Sequence, residues 1–359
     1  MNFGTERPPA PLPSSASPRE VFLHYAAHRR ASYRVISGRY HGCKNATKST
    51  DGFFHTILFI GYYGHCMDYV IHAWVAATLY SALFSILNGY NLISADLSAL
   101  PSNSFFAVTT TLSLLLAFRA NRAAVRYWDA RAFWGVVVAD VRILGNRIVS
   151  NSLLAPENEP LREDSAIFLC RLVAFAVTTR NYLRRQRPLL FPDDYIGLSL
   201  TQSELQRLDN ANHICNENMQ LLWRSLRTTF PVPSGCGVQS ALAHESAIRL
   251  LDDLVLRSGG LERIRNSPLP VIWTSNLRFY LVIYFLFLPF LIINAAGYYT
   301  ILVTSVSAFL FLTIEAAASD VDVGPFQATR LNHIDCDAML LRIEADVEHL
   351  LEALYERND

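Results

Sequence analysis

Lysine is nearly missing from this chain: Lys44 and Lys48 stand against 29 arginines, and 31 acidic residues bring the formal net charge to zero. No excess positive field is available to hold a polyanion, which argues against a nucleic-acid partner. Six cysteines, Cys43, Cys66, Cys170, Cys215, Cys236 and Cys336, form no CxxC pair and no short even spacing. That pattern reads as reduced, buried thiols and removes a disulfide scaffold and a cysteine-rich zinc site. Also lacking are a P-loop, a GxGxxG turn, a GxSxG elbow and an HExxH helix; His244-Glu245 has no second histidine to complete the last. The expectation is a protein that is not an enzyme and uses no cofactor. The first twenty residues, MNFGTERPPAPLPSSASPRE, are rich in proline and serine and contain no apolar run, so they read as a tail and not as a cleaved secretory signal, with a transit peptide the open alternative.

Basic residues are also missing in two long stretches, and these organise the chain. Ser49 to Phe118 holds no Lys or Arg over 70 residues, and the next segment, Arg119 to Arg147, holds six arginines. Phe279 to Thr329 is a second stretch of 51 residues without a basic side chain. Such steps mark membrane boundaries. Each apolar block is long enough for two crossings, at Asp68 to Leu87 and Ser104 to Phe118 in the first, and at Asn276 to Ile293 and Tyr299 to Ile314 in the second. Four spans in two hairpins follow.

Charge asymmetry then orients the hairpins. Neither tip carries Lys or Arg, whereas residues 1–48 hold eight and residues 119–278 hold twenty. Both termini and the middle are therefore expected on the cytosolic, stromal or matrix side. The sequon Asn45-Ala46-Thr47 should then stay unglycosylated. The segment Ser104 to Phe118 is short for a lipid-facing span, and Thr109, Thr110, Thr111 and Ser113 make it polar. Those features suit a helix lining a water-filled passage or packed on neighbours inside one subunit.

Between the blocks, Ala166 to Leu183, Leu205 to Leu226 and Ser240 to Leu256 repeat apolar residues at helical spacing, with loops at Asn151–Glu163, Pro188–Ser199 and Pro231–Gly237. Arg171 and Arg180 argue against a fifth crossing. Leu340, Ile343, Val347, Leu350, Leu351 and Leu354 make one stripe of a terminal amphipathic helix. The expected organisation is a tail and pre-membrane segment (1–50), a first hairpin with the pore helix (51–118), a cytosolic helical domain (119–270), a second hairpin (271–314) and a C-terminal segment (315–359).

Across the basic step the chain reads Phe118-Arg119-Ala120-Asn121, then Arg126-Tyr127-Trp128-Asp129-Ala130-Arg131, then Trp134-Gly135. On a helix Arg126, Asp129 and Ala130 share one face, and Arg131, Trp134 and Gly135 another. An ordinary interfacial belt of Trp and Arg is one reading. The order of residues, FRxNxxxxRYWxARxxWG, also resembles the signature after the second membrane helix of bestrophin-like anion channels. Three further segments resemble that family in order: Asn266-Ser267-Pro268-Leu269-Pro270 before the third span, Leu288-Pro289-Phe290 within it, and Ile314-Glu315 through Gly324-Pro325-Phe326 to Leu331-Asn332-His333-Ile334-Asp335 after the fourth. The resemblance covers roughly Asp51 to Leu351.

The resemblance implies an all-α integral membrane protein, its two hairpins continuous with a cytosolic helical domain. It also implies a homopentamer in membrane lipid that passes chloride or other small anions through an axial pore. The family's apolar neck matches Thr110, Leu114 and Phe118, with Arg119, Asn121, Arg126, Trp128, Arg131, Trp134 and Gly135 as the junction motif. Thr110 is a hydroxyl where the family has a branched apolar group. Animal members carry a dense acidic calcium-binding run after the fourth span; here only Asp320 and Asp322 precede Pro325-Phe326, closer to microbial and plant-type members. No calcium clasp, and no metal site, is expected there. Two alternatives stay open: an integral-membrane metalloenzyme using His65, Asp68 and His72, and a proton-coupled transporter using Asp68 and Asp96.

Overall fold

The computed structural model describes residues 17–27, 29–30, 64–90, 102–154, 158–186, 200–229, 238–322, 324–327 and 333–356. Among these residues there are ten helices and no strand. A short α1 (18–27) is followed by α2 (Gly64–Gly89), α3 (Ser102–Ser152), α4 (Glu159–Leu183), α5 (Gln202–Asn210), α6 (Ile214–Thr229), α7 (Val238–Asn266), α8 (Val271–Ala296), α9 (Tyr299–Asp322) and α10 (Cys336–Tyr355). The Pro188–Ser199 and Pro231–Gly237 loops, the sequon at Asn45 and most of the first hairpin's tip lie outside the described residues.

The apolar residues sort into two cores. The smaller joins α3, α8 and α9 through Leu112, Leu116, Leu277, Leu281, Tyr284, Leu288 and Ala308, with Trp74 of α2 against its edge. The larger is built on Trp134, Leu144, Phe168, Phe175, Leu222, Leu254 and Leu340, and takes in α1 through Phe22 and Ala26. Only α3 serves both as a continuous rod. At 51 residues it is about 76 Å long, so the predicted pore segment and the basic junction belong to one unbroken helix.

The partner faces explain how the hairpins hold together. On α9, Thr300, Thr304 and Ala308 recur every fourth residue and are fully buried, and the most extensive packing of α9 is against α2. Small residues at that spacing let two helix backbones approach. Trp74 Nε1 donates to Ser305 O and Oγ, both at 3.0 Å, and Thr78 Oγ1 donates to Ser305 Oγ at 3.2 Å. The α8–α9 turn needs a residue at φ 53°, and Gly297 supplies it while donating its N–H to Ile293 O at 2.8 Å.

Four described helices are long and apolar enough to cross a membrane: α2, α4, α8 and α9. Three of them contain the predicted spans at 68–87, 276–293 and 299–314. By composition the fourth is α4, and the first turns of α3 fall short. Packing reverses that ranking. The apolar window of α4 is 78% buried by protein, against 22–33% for the other three, which is how a helix apolar on all faces sits inside a large core. Arg171 pairs with Glu204 at 3.1 Å and Arg180 with Asp337 at 2.7 Å, as an interior helix requires. Leu112 and Leu116 near the start of α3 instead pack among α8 and α9.

Sequence and structure differ in the charged middle. The expected helix Leu205 to Leu226 is two, α5 and α6, broken at Ala211–His213. A capping box starts α5: the Thr201 side chain accepts from Glu204 N–H, and the Glu204 side chain accepts from Thr201 N–H. The expected loop from Asn151 is shorter, because α3 continues to Ser152 and Asn158 caps α4 through Leu161 N–H.

Candidate functional site

The upper third of α3 has two unlike faces. Leu112 and Leu116 are buried against the second hairpin, while Thr110, Leu114 and Phe118 are exposed, the last two at 55% and 59%. Spacing of four keeps those three on one side of the helix. Among the described residues nothing of their own chain covers them. Thr110 Oγ1 donates to Phe106 O at 2.8 Å, so its hydroxyl is turned back onto the helix backbone.

One residue below Phe118 the chemistry changes. Arg119 is buried, and its Nε donates to Glu315 Oε2 at 2.5 Å. The other oxygen of Glu315 accepts from Arg278 Nε at 2.9 Å, and Arg278 Nη2 donates to Ser319 Oγ at 2.9 Å. Asp322 lies 3.9 Å from Arg119 Nη1 and 3.5 Å from Arg126 Nε. Arg126 also donates to Ser267 O at 2.7 Å and Ile264 O at 2.6 Å, carbonyls at the C-terminal end of α7 where a cation is favoured. Two carboxylates and three arginines thus tie α3 to the end of α7, the start of α8 and the end of α9.

The remaining junction residues diverge. Trp134 is fully buried in the larger core, but Arg131 and Gly135 are exposed, so the three do not act on one face. A row of i, i+3 and i+4 spans a wide arc of the helix, and the core boundary runs through it. Trp128 is 63% exposed and packs edge-on to Tyr127 with ring centroids 5.6 Å apart. Asn121 is exposed as well.

At the place of the family's acidic run, both carboxylates are engaged by other side chains. Asp322 faces the arginines, and Asp320 Oδ1 stands 3.7 Å from His333 Nε2. Among the described residues no group of three His, Cys, Asp or Glu side chains is placed to hold a metal ion. His72 is exposed on α2; the side chains of His65 and Asp68, and the whole of Asp96, lie outside the described residues.

A second charged cluster lies in the larger core. Asp337 accepts from Arg180 Nη1 and Arg184 Nη2, each at 2.7 Å, and Arg184 Nε donates to Phe326 O at 3.0 Å. Burial pushes the Asp337 carboxyl up, but Arg184 and Arg180 outweigh it and hold it at about 2. Burial lowers Arg180 to about 10, with Arg29 adding to the fall. Cys336 beside them is pushed up to about 12, chiefly by burial. It and Cys170 are buried thiols.

Sequence reasoning named Arg119 and Arg126 but not their partners. In the sequence Glu315 stands only within a stretch that resembles the family, and nothing there marks Arg278 or Asp322 as partners of these arginines. The available signal was position: Arg278 is the last basic residue before the second apolar block, and Glu315 is the first acid after its long apolar run.

Known proteins point the same way. The family described as "Bacterial/Fungal Bestrophin protein" matches residues 47–349. A voltage-dependent anion channel-forming protein of Synechocystis is 29% identical over 71% of this chain and 79% of its own length. A Salmonella typhi protein of the same description is 26% identical over 74% and 81%. The crystal structure of a bacterial bestrophin homologue from Klebsiella pneumoniae superposes with a TM-score of 0.65 at 20% identity, covering 79% of this chain and 98% of that one.

Proposed function

This chain belongs to the bacterial and fungal bestrophin family, and from that premise we propose that it is an anion channel: a homopentamer whose α3 helices surround one axial pore. Chloride or another small anion passes down its own gradient. The observation that carries the reading is the uncovered face of α3, where Thr110, Leu114 and Phe118 are exposed while Leu112 and Leu116 on the other side are buried. Five such faces around an axis make a narrow neck of stacked rings.

The neck works by wetting. An apolar constriction expels water below a threshold radius, and a small change in width moves the barrier strongly. Selection of anions needs no charged ring, because aromatic edges carry partial positive charge and favour an anion that has shed water. Thr110 makes the outermost ring more permissive than the two below it, since a hydroxyl offers water a partner. Both termini and the arginine-rich middle lie on the cytosolic, stromal or matrix side, in keeping with the twenty basic residues at 119–278 and their absence from both hairpin tips.

Purified protein should have the mass of five 40.4 kDa chains plus detergent, and planar bilayers should show single-channel steps that reverse at the chloride equilibrium potential. A particle of one or two chains refutes the shared pore. Slow, saturating, pH-coupled flux without steps refutes the channel.

A further inference from the structure

We infer that Glu315 is the positioning residue of the neck, a single buried carboxylate that pins the foot of α3 to both helices of the second hairpin and so fixes where the Phe118 ring sits. The inference rests on the channel reading and names residues on which that reading does not depend. Phe118 and Arg119 are consecutive, so they project about 100° apart around the helix. Phe118 is 59% exposed on the axial side, and Arg119 is buried on the other. Whatever holds the Arg119 side chain therefore holds the backbone that carries the ring.

What holds it is Glu315. Its Oε2 accepts from Arg119 Nε at 2.5 Å and its Oε1 from Arg278 Nε at 2.9 Å. One carboxylate on α9 thereby joins α3 and α8. Arg278 closes the arrangement by donating to Ser319 Oγ, one turn further along α9. A buried carboxylate is retained only when paired with good geometry, and charge-assisted bonds of this kind are directional.

Above this point the contact is of a different kind. Leu112 and Leu116 meet the second hairpin through apolar packing, which is non-directional and sets no sharp register along the helix axis. The next described polar tie between α3 and the second hairpin is Thr109 Oγ1 to Tyr284 Oη at 3.3 Å, above the neck's lower two rings. Leu114 and Phe118 thus lie between one weak polar tie and one strong one. Removing the strong tie leaves Arg126 and the larger core to hold α3 from below and frees the stretch above them to shift, and the ring nearest to the lost tie moves most.

The test measures the permeability of thiocyanate relative to chloride, from reversal potentials of the full-length protein in planar bilayers, with particle mass checked by light scattering. Glu315→Gln and Arg119→Gln should each raise the ratio by about threefold or more, because a wider neck favours the larger anion. The double variant should go no further than Glu315→Gln alone, since that change already breaks the Arg119 bond along with the Arg278 one. Arg142→Gln removes an exposed pair with Asp346, 2.6 Å long and remote from the neck, and should leave the ratio at the wild-type value. If Glu315→Gln does not assemble, Arg278→Gln is read in its place: it removes the more exposed arm, and a smaller rise in the same direction is expected. An assembled Glu315→Gln, or Arg278→Gln in its stead, with the wild-type ratio overturns the assignment. So does a double variant whose effect is the product of the singles. Failure of the channel reading is seen earlier and separately, as wild-type protein that passes no anion current.

Discussion

Asp337→Asn should be among the most destabilising single substitutions in the larger core. The carboxylate is the common acceptor for Arg180 and Arg184, and their side chains are only 13% and 5% exposed. Removing its charge leaves two guanidinium groups in a low-dielectric interior, with Arg29 close enough to lower Arg180 further. Breaking a buried pair by deleting one partner costs about 3–5 kcal/mol, because the stranded charge cannot recover its hydration. An independent figure comes from titration. The carboxyl moves from an ordinary value of 3.8 to about 2, which corresponds to about 2 kcal/mol of stabilisation. Because the folded value is the lower one, that stability is complete above pH 3.8 and disappears as pH falls toward 2. The substitution costs more than protonation since it also removes the acceptor geometry. Thermal unfolding of the detergent-solubilised protein at pH 7 should show a fall of several degrees for Asp337→Asn, and the gap between variant and wild type should narrow as pH falls from 4 to 2. A variant that unfolds with the wild type at pH 7, or a gap that stays constant down to pH 2, would refute the account.

Substitutions at three other residues probe different levels of the structure. Phe118→Ala should raise single-channel conductance or loosen gating with little loss of stability, since the ring is 59% exposed within its own chain; unchanged currents would remove Phe118 from the pathway. Trp134→Ala, at a fully buried position in the larger core, should cost about 3–5 kcal/mol through lost burial and a cavity, read by thermal unfolding, while Trp134→Phe should cost less because its Nε1 makes no hydrogen bond. Arg126→Ala should cost about 2–4 kcal/mol by stranding two carbonyls at the end of α7 and leaving Asp322 with Arg119 alone, measured by the same assay, with the chloride over cation selectivity of assembled particles unchanged.

How much of this was legible in the sequence depends on whether a feature is local. The step from a basic-free block to Arg119 is visible in the sequence because hydration of arginine is decided residue by residue, and in the structure it falls where α3 passes from the smaller core toward the larger. The stripe from Leu340 to Leu354 marked α10 for the same reason, since its periodicity survives without knowing what it packs against. Helix continuity was less visible. Nothing in Phe118-Arg119-Ala120-Asn121 announces that one helix runs on to Ser152; only the absence of proline and glycine up to Gly135 permits it. Composition was misleading at α4, which is as apolar as a membrane span yet buried by its own protein. Arg171 and Arg180 were the sequence signal that separated the two cases. That Thr110, Leu114 and Phe118 share one side of a helix could be read from their spacing of four, but the pairing of Arg119 with Glu315, 196 residues away, could not, because sequence shows which charges exist and not which of them meet.

The continuity of α3 limits how a neck built on it can open. The helix is held by Glu315 at Arg119, by the end of α7 at Arg126 and by the larger core from Ala130 to Ile148. A rotation large enough to withdraw Phe118 by moving the backbone would break the Arg119 bond, strain the Arg126 bonds and shear the packing of Trp134. These losses would come together, since the helix is one rod and transmits the motion. Turning the Phe118 side chain, by contrast, disturbs none of these contacts, because its own chain leaves the ring mostly uncovered. Opening by rotamer change and wetting of the rings is therefore the cheaper route, and movement of α3 is reserved for a stimulus that first loosens the arginine ties at its foot.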